Sequence, residues 1–459
     1  MNPSLTAGVA LGRLVGAGAR LRGGGATSLP GKVLLRACPG GVGALGRRLP
    51  EGNVLLSATN GKTTTSALAA GILRRAGHRL VHNHSGANMA GGIASTLLAA
   101  SRSRGRMTGE LGLFEVDEFW LEQLSDALSP RAIVLSNLFR DQLDRYGELD
   151  TIAERWAALA ARTSATLVLG ADDPLIADLG RGLEREPLWF GIEDDRIALP
   201  RLSHASDSAH CRRCGHPYHY EAIYLGHLGR YRCPNCGQGR PRPAVYARDV
   251  VLEGVRASRF ELVTPAGAAT VQLPLPGLYN LCNALAAAAL AHQLGVALEV
   301  IVAGLQDTAP AFGRGETLIA DGRELRILLV KNPAGANEVL RTLALEPGEH
   351  DLLVVLNDQI ADGRDVSWVW DADFETLAGR LRRVTCSGTR AAELALRLKY
   401  AGVPEDRITM IGELRPALEH ALADRPPAAA PLYALPTYTA MLALRELLVA
   451  RGEARSSWT

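Results

Sequence analysis

Short apolar runs alternate with longer stretches rich in alanine and leucine along most of the chain. The clearest apolar runs are residues 54–57, 111–116, 132–136, 166–169 and 351–356. Short runs of this kind, each followed by a helix-length stretch, are typical of parallel strands that are buried on both faces. The pattern therefore predicts an α/β fold built on parallel sheets.

Two passages break this alternation. Residues 201–245 are rich in His, Cys, Arg, Tyr and Pro, which indicates an insertion, and residues 308–325 contain Pro310, Gly313 and Gly315, which indicates a domain joint. Residues 1–22 are rich in Gly, Ala and Leu but are interrupted by arginines. They predict a weakly amphipathic helix rather than a signal peptide.

Composition narrows the class of protein. The chain has 459 residues, with 50 Lys and Arg against 48 Asp and Glu. At roughly 150 residues per domain, the length corresponds to about three domains, and the near balance of charge argues against a polybasic nucleic-acid binder.

No run reaches the ~20 apolar residues that span a bilayer. Seven cysteines in so long a chain do not form a disulfide framework, so we expect a cytoplasmic protein.

One strand–turn–helix segment carries a phosphate-binding pattern. Residues 54–65 read Val-Leu-Leu-Ser-Ala-Thr-Asn-Gly-Lys-Thr-Thr-Thr, and a helix is predicted over residues 66–76. Backbone N–H groups and the helix N-terminus can hold phosphate oxygens there, with Lys62 on the β/γ-phosphates and the Thr63 hydroxyl on Mg²⁺. Leu56 replaces the first glycine of the full signature, so an ordinary strand–turn–helix is the alternative. The predicted ATP-binding residues are Thr59, Asn60, Gly61, Lys62, Thr63 and Thr64.

Five segments in order resemble the Mur ligases and folylpolyglutamate synthases, which activate a carboxylate as an acyl phosphate. They are the Thr-Asn-Gly-Lys-Thr loop and residues 114–118, 137–147, 278–284 and 313–316. The resemblance implies that Glu115 binds Mg²⁺, that Asn280 and Asn283 contact adenine, and that Arg314 belongs to the ATP site. A solvated acidic loop is the alternative for Glu115, and helix capping is the alternative for the two asparagines.

Two residues that standard Mur ligases use for metal binding are missing. Lysine occurs only at Lys32, Lys62, Lys331 and Lys399. The carbamate lysine of the family therefore has no counterpart near residues 154–157, and Gln142 replaces its histidine ligand. A standard two-metal site is not expected.

Four cysteines form a zinc-binding pattern inside the insertion. Two C-x2-C pairs lie 18 residues apart, a spacing that can place four thiolates around one Zn²⁺. Four thiolates leave no open position for water, so a structural site is expected, and disulfides are the alternative. The predicted ligands are Cys211, Cys214, Cys233 and Cys236.

The C-terminal third resembles the MurT family of Mur-ligase-like synthetase subunits. Residues 331–338 read Lys-Asn-Pro-Ala-Gly-Ala-Asn-Glu, and residues 356–371 contain Asn-Asp and Asp-Gly-Arg-Asp-Val-Ser-Trp. The resemblance implies amidation of the α-carboxylate of D-glutamate in the lipid II stem peptide, through an acyl phosphate. Ammonia would come from a GatD-type class I glutaminase, and the work would take place at the inner face of the plasma membrane.

That resemblance also implies that the C-terminal domain gives the glutaminase histidine a carboxylate. Asp365 is the predicted residue, and Asp358, Asp362 and Asp371 stay open. Alternation around Val369 predicts a strand with Trp368 and Trp370 on one face, as partner anchors or as core.

Together these features predict an N-terminal segment (residues 1–50), a Mur-ligase-like ATP-binding central domain (51–312) and a C-terminal α/β domain that contacts the glutaminase (313–459). The zinc ribbon is expected at about residues 205–245 of the central domain. Two other functions stay open. One is a Mur- or folylpolyglutamate-type amino-acid ligase, and the other is a non-enzymatic, ATP-regulated zinc-ribbon scaffold.

Overall fold

The computed structural model describes residues 3–21, 28–83, 86–102, 106–141, 149–202, 206–308, 314–423 and 430–454. These residues form a nine-stranded sheet, a six-stranded sheet and a two-stranded hairpin. The strands are β1 (Asn53–Ser57), β2 (Leu80–His82), β3 (Leu111–Glu115), β4 (Ala132–Leu135), β5 (Thr166–Gly170), β6 (Leu188–Ile192), β7 (His219–Leu225), β8 (Leu228–Arg232), β9 (Val245–Glu253), β10 (Ala257–Thr264), β11 (Gly267–Leu273), β12 (Arg314–Ala320), β13 (Arg323–Leu328), β14 (His350–Val355), β15 (Leu381–Ser387), β16 (Ile408–Met410) and β17 (Leu432–Pro436).

Helices cover both faces of the two large sheets. They are α1 (Pro3–Leu21), α2 (Leu29–Ala37), α3 (Gly41–Gly46), α4 (Lys62–Arg75), α5 (Ala90–Ala100), α6 (Leu121–Leu128), α7 (Leu149–Arg162), α8 (Pro174–Leu179), α9 (Leu278–Gln293), α10 (Leu298–Gln306), α11 (Pro333–Ala344), α12 (Glu375–Ala378), α13 (Ala391–Tyr400), α14 (Leu414–Ala423) and α15 (Tyr438–Ala450). Among the described residues, none of these helices combines the length and the apolar character needed to cross a bilayer.

The nine-stranded sheet has the order β11-β10-β9-β6-β5-β4-β1-β3-β2. Pairing is parallel from β2 to β9, and β10 and β11 add an antiparallel edge. The chain leaves β1 towards β2 and later returns to build β4 on the other side of β1. Ligands of open α/β sheets bind beyond the carboxyl ends of the strands at such a reversal, so the loop after β1 lies at the expected place for a site.

The six-stranded sheet has the order β12-β13-β17-β14-β15-β16. Only the β12–β13 pair is antiparallel, and the other strands pair in parallel. Residues 314–325, the second part of the passage predicted as a domain joint, form most of the β12–β13 edge hairpin of this sheet. Asp321 and Gly322 supply the positive φ angles of its tight turn.

Helix α9 lies at the centre of the first sheet's helical layer. Its residues from Leu278 to Ala291 are almost all buried, and it packs on α4 and on the sheet. A helix that is apolar on every side belongs in a core. This burial fixes the start of α9 beside the start of α4, which brings two distant parts of the sequence to one site.

The predicted α/β class and the five predicted strands are confirmed, with differences of one residue at several strand ends. Helix α4 begins at Lys62, four residues before the predicted start. The strand predicted around Val369 was wrong. Residues Ser367–Asp371 form a 3₁₀-helix, with Val369 buried and Trp370 exposed. Alternation over so few residues does not separate a strand from a single helical turn.

Candidate active site

The loop between β1 and α4 (residues 58–61), called the phosphate loop below, is held in a tight conformation by its own sequence. Gly61 has a φ of 83° and is the N-cap of α4. A Cβ at this position would also lie 1.8 Å from Asn283 Oδ1. Only glycine fits both the backbone angle and the approach of Asn283. The loop therefore presents backbone groups, not side chains, at the helix N-terminus, where anions bind.

Lys62 folds back over this loop. Its Nζ donates to Ala58 O at 2.5 Å and reaches both carboxylate oxygens of Glu118 at 3.0 Å. Burial lowers the pKa of Lys62, but the charges of Glu118 and Glu115 outweigh burial and raise this pKa above its ordinary value. The ammonium group is thus charged and already held at the loop.

Glu115 lies at the end of β3 and is 4% exposed. Asn83 fixes its backbone from both sides, since Asn83 Nδ2 donates to Glu115 O at 2.8 Å and Asn83 Oδ1 accepts from Glu115 N at 2.9 Å. Asn88 Nδ2 donates to Glu115 Oε1 at 3.5 Å, a weak bond. The backbone of Glu115 is therefore fixed in place, while its carboxylate keeps oxygen lone pairs that a metal ion can use.

Asn137, at the end of β4, braces the loop from behind. Its Oδ1 accepts from Asn60 N at 2.9 Å, and its Nδ2 donates to Asn60 O at 3.1 Å. Thr59 Oγ1 accepts from Phe139 N at 3.0 Å. Thr59 is thus used for structure, whereas Thr63 and Thr64 lie in the first turn of α4.

The start of α9 adds two asparagines. Asn283 Oδ1 accepts from Thr65 Oγ1 at 3.2 Å, and Asn283 Nδ2 donates to Asn280 Oδ1 at 3.3 Å. Asn280 Nδ2 donates to Pro276 O at 2.8 Å, so this side chain also closes its own helix start. The structure brings Asn283 against the phosphate loop, and Asn280 lies behind it.

The C-terminal domain reaches the same loop through one short segment. Lys331 forms an ion pair with Asp141 and donates to Thr59 O at 3.3 Å. Asn332 Nδ2 donates to Asn60 Oδ1 at 2.9 Å. The second sheet therefore places another ammonium group beside the loop.

A cleft of about 840 Å³, part of it open to solvent, lies between these parts. Its wall includes the tip of the β7–β8 hairpin, where Leu225 and Leu228 pack with Phe139. Glu338 of α11 also lines it. Burial raises the pKa of Glu338 against the opposing charge of Arg341, to which it is bonded at 2.7 Å. The cleft is apolar on one side and polar at the phosphate loop, as a nucleotide requires.

Some predicted residues fall outside this description. Gln142 and Gly313 are not among the described residues, and Arg314 is described only as the first residue of β12. Trp156 lies in the segment, residues 154–157, where the carbamate lysine of standard Mur ligases was sought. It is 1% exposed, and its Nε1 donates to Glu118 O at 3.1 Å.

The four predicted zinc ligands converge. Their sulfur atoms all lie within 4.8 Å of one another, and Cys211–Cys236 and Cys214–Cys233 are 3.6 and 3.5 Å apart. Four thiolates at about 2.3 Å from one Zn²⁺ stand about 3.8 Å apart, whereas a disulfide requires about 2 Å. All four cysteines are free thiols. The donor set and spacing fit a tetrahedral Zn²⁺ site.

Two matching turns build this cluster. Gly215 N donates to Cys211 O at 2.8 Å, and Gly237 N donates to Cys233 O at 3.0 Å. Both glycines have positive φ angles. Cys233 directly follows β8, so the cluster lies at one end of the β7–β8 hairpin, and the cleft lies at the other end.

The four candidate aspartates of the C-terminal domain have different surroundings. Asp362 is buried and accepts from Thr439 N at 2.7 Å, at the start of α15. Asp358 accepts from Arg390 Nε at 2.8 Å, and Asp371 pairs with Arg140. Asp365 is exposed and pairs with none of these cations. Hydrogen bonds from the side chain and backbone of Ser367 lower the pKa of Asp365.

Apolar side chains are exposed close to Asp365 in the sequence. Trp370 is 47% exposed, and its ring lies 5.8 Å from that of Tyr400, which is 70% exposed. Trp368 packs instead against the core of the second sheet. Of the two predicted anchors, Trp370 is therefore the more exposed, and Trp368 is partly buried.

Sequence reasoning missed the contacts that join distant parts of the chain at the cleft. Glu118, Asn137, Lys331, Asn332 and Glu338 lie in segments that the motifs singled out, but no motif displays their partners. Leu225 and Leu228 at the tip of the hairpin belong to no motif and were missed outright.

Comparisons with known proteins agree with this architecture. Residues 57–236 match the Mur ligase middle domain, and residues 329–441 match the MurT ligase C-terminal domain. Among solved structures, a pseudomurein peptide ligase type C from Methanothermus fervidus has a TM-score of 0.68 at 23% identity, covering 89% of this chain and 80% of that one. The MurF ligase of Thermotoga maritima in complex with ADP has a TM-score of 0.62 at 17% identity, covering 91% and 82%. These two likenesses show the fold.

Curated relatives show the family. The chain is 34% identical over 438 residues to the MurT subunit of the glutamine-hydrolysing lipid II isoglutaminyl synthase of Streptococcus pneumoniae, covering 93% of each protein. It is 32% identical over 394 residues to the MurT subunit of Staphylococcus aureus, covering 86% of this chain and 87% of that protein. The phosphate loop, the second sheet with its lysine, and these relatives lead to one conclusion: the chain belongs to the MurT family of Mur-ligase-type proteins.

Proposed function

We propose that this chain is the synthetase subunit of a glutamine-hydrolysing lipid II isoglutaminyl synthase. It uses ATP to convert the α-carboxylate of D-glutamate in the lipid II stem peptide into an amide. The observation that carries the proposal is the meeting of Lys62 and Lys331 at one phosphate loop, in a chain 34% identical to a MurT subunit over 93% of its length.

The chemistry needs an activated carboxylate. A carboxylate oxygen attacks the γ-phosphorus of ATP, the bond to ADP breaks, and an acyl phosphate forms. Ammonia then attacks the acyl carbon, and phosphate leaves with the original carboxylate oxygen. Lys62 and Lys331 supply positive charge at the loop, where negative charge accumulates during phosphoryl transfer.

Glu115 and Thr63 are the residues that would hold Mg²⁺. Both offer oxygen ligands, which Mg²⁺ prefers, and Glu115 is supported by Asn83 yet only weakly bonded by Asn88. Glu118 is a poorer ligand because Lys62 occupies both of its oxygens. When bound, Mg²⁺ neutralises phosphate charge. A second metal held by a carbamate lysine is not proposed.

The four-cysteine cluster would hold a structural Zn²⁺. Sulfur separations of 3.5 and 3.6 Å support this assignment. The role of the metal would be to fix the base of the β7–β8 hairpin, whose tip lines the cleft.

Ammonia would come from a class I glutaminase of the GatD type, bound at the C-terminal domain. Asp365 would orient the histidine of that glutaminase, because a carboxylate on imidazole fixes the tautomer and stabilises the imidazolium. The exposure of Asp365 supports this choice, because Asp358 is ion-paired with Arg390 and Asp362 is buried against Thr439.

The test is reconstitution. The chain is purified with a GatD-type glutaminase and incubated with lipid II, ATP, Mg²⁺ and amide-labelled glutamine. We expect the label in the D-isoglutamine amide, with ADP formed in equal amount. Transfer of an amino acid instead of ammonia, or no product from the assembled complex, would contradict the proposal.

A further inference from the structure

The N-terminal part of the chain carries charge of one sign only. Residues 1–50 contain no Asp or Glu, and the first acidic residue is Glu51. The rest of the chain holds more acids than bases, so the positive excess of the protein is concentrated in this part. Its basic residues are Arg13, Arg20, Arg22, Lys32, Arg36, Arg47 and Arg48.

Helix α1 uses glycines to pack on the rest of the molecule. A Cβ at Gly8 or Gly12 would lie 3.1 Å from Leu34 or 2.7 Å from Leu98, and Gly16 faces Pro30. These three glycines recur every four residues and so occupy one face of the helix. This face is the one that meets α2.

The opposite face of α1 is exposed and apolar. Leu11 is 49% exposed and Leu14 is 71% exposed. Arg13 lies on another side, where it is half-buried and donates to Ser101 Oγ at 3.4 Å. A surface helix normally turns charged residues to water. No charged residue is among the exposed residues that the structure describes in α1, which are Ser4, Thr6, Ala7, Ala10, Leu11, Leu14, Ala17 and Gly18.

Helix α2 adds positive charge beside the exposed apolar face of α1. Leu29, Lys32 and Arg36 are all exposed, and their spacing places them on one side of the helix. Leu29 is 54% exposed. An apolar helix face next to a basic helix face is the combination that binds at an anionic membrane surface.

We infer that the outer faces of α1 and α2 form a docking surface for an anionic phospholipid bilayer. The surface would hold the cleft near lipid II at the membrane, and in this respect the inference rests on the proposed function. A second copy of this chain is a poorer occupant, because a symmetric contact would bring two basic surfaces together. Leucines enter the headgroup region while the bases meet anionic lipids, so no spanning helix is required.

Vesicle binding tests this surface without catalysis. The full chain is mixed with vesicles of phosphatidylglycerol and phosphatidylcholine, or of phosphatidylcholine alone, and bound protein is measured by sedimentation. We expect binding to the anionic vesicles that weakens as salt rises. Leu11→Ser with Leu14→Ser should reduce it about tenfold or more, and Lys32→Gln with Arg36→Gln should reduce it about tenfold.

The matched control is Leu345→Ser with Leu396→Ser, two exposed leucines of the C-terminal domain at 53% and 48% exposure. It should bind vesicles like the unaltered chain. Thermal melting of all variants checks that they fold. Amidation of detergent-solubilised lipid II should be unchanged in the Leu11/Leu14 variant, which separates failure of this inference from failure of the proposed function.

Three results would overturn the inference. The first is no binding of the unaltered chain to anionic vesicles, and the second is equal binding by the Leu11/Leu14 variant. The third is that the Leu11/Leu14 substitutions abolish self-association or glutaminase binding, measured by analytical ultracentrifugation. That result would assign the face to a protein.

Discussion

The nucleotide cleft and the surface around Asp365 differ in how complete they are within this chain. In the cleft, Lys62, Glu115 and Lys331 come from three distant segments and are held by buried partners. Asp365 stands on an exposed turn, and Ser367, two residues away, is its hydrogen-bond donor. The cleft carries its own supporting contacts, whereas a carboxylate on an open surface needs another molecule to act on. Under the proposed function, this difference separates ATP use within the chain from glutamine use across an interface with the partner subunit.

The largest expected effect is a loss of glutamine-dependent amidation, with ammonium-dependent amidation retained. Asp365→Asn in the assembled complex should lower glutamine-dependent amidation by about 10⁴-fold, because an amide does not stabilise the imidazolium of the partner's histidine. Amidation with free ammonium should stay unchanged. Both rates are measured on lipid II with the same ATP concentration.

Asp358→Asn is the matched control, because Asp358 is bonded to Arg390 rather than free to meet a partner. It should leave both rates close to those of the unaltered complex. If Asp358→Asn removed glutamine use and Asp365→Asn did not, the assignment would pass to Asp358.

A second substitution should affect both nitrogen sources equally. Lys62→Met removes an ammonium group from the phosphate loop and should lower both rates by about 10²–10³-fold. Lys399→Met, at an exposed ion pair with Glu405, is the control and should change neither rate. A Lys62→Met complex that kept ammonium-dependent amidation would contradict the assignment of the cleft.

Removal of zinc should affect the cleft and spare the Asp365 surface. The hairpin runs from Cys233 to Leu225 and Leu228 at the cleft wall. Cys233→Ala should abolish zinc binding, lower the melting temperature and weaken ATP binding about tenfold, since two buried leucines lose their support. Zinc content, melting and calorimetric ATP titration measure these changes. Unaltered ATP affinity in the zinc-free protein would contradict a role of the zinc ribbon in supporting the cleft.

The smallest effect concerns pH. The pKa of Asp365 is lowered by hydrogen bonds from Ser367, so its carboxylate stays charged further into acid. Ser367→Ala removes the side-chain bond, and the acid limb of glutamine-dependent amidation should move to higher pH. The rate near neutrality should not change, and neither should the ammonium-dependent profile. A shift of both profiles would place the effect in the cleft instead.

The sequence allowed prediction of features that lie within one segment. The loop at Gly61 and Lys62, the strand ends and the two cysteine turns each depend on neighbouring residues. The braces of the cleft do not, since Asn332 meets Asn60 across 272 positions. The strand expected at Trp368 and Trp370 failed for a related reason. Over so few residues, tertiary contacts of Val369 and Trp368 decide between a strand and a 3₁₀ turn.

The most direct test of the central claim follows one oxygen atom. Lipid II carrying heavy oxygen in the α-carboxylate of D-glutamate is incubated with the Asp365→Asn complex, ATP and ammonium, so that the cleft works without glutamine. We predict that each amide formed is matched by one phosphate carrying a single heavy oxygen, detected by mass spectrometry. Heavy oxygen in AMP, or amide formed with unlabelled phosphate, would contradict an acyl phosphate made in this cleft.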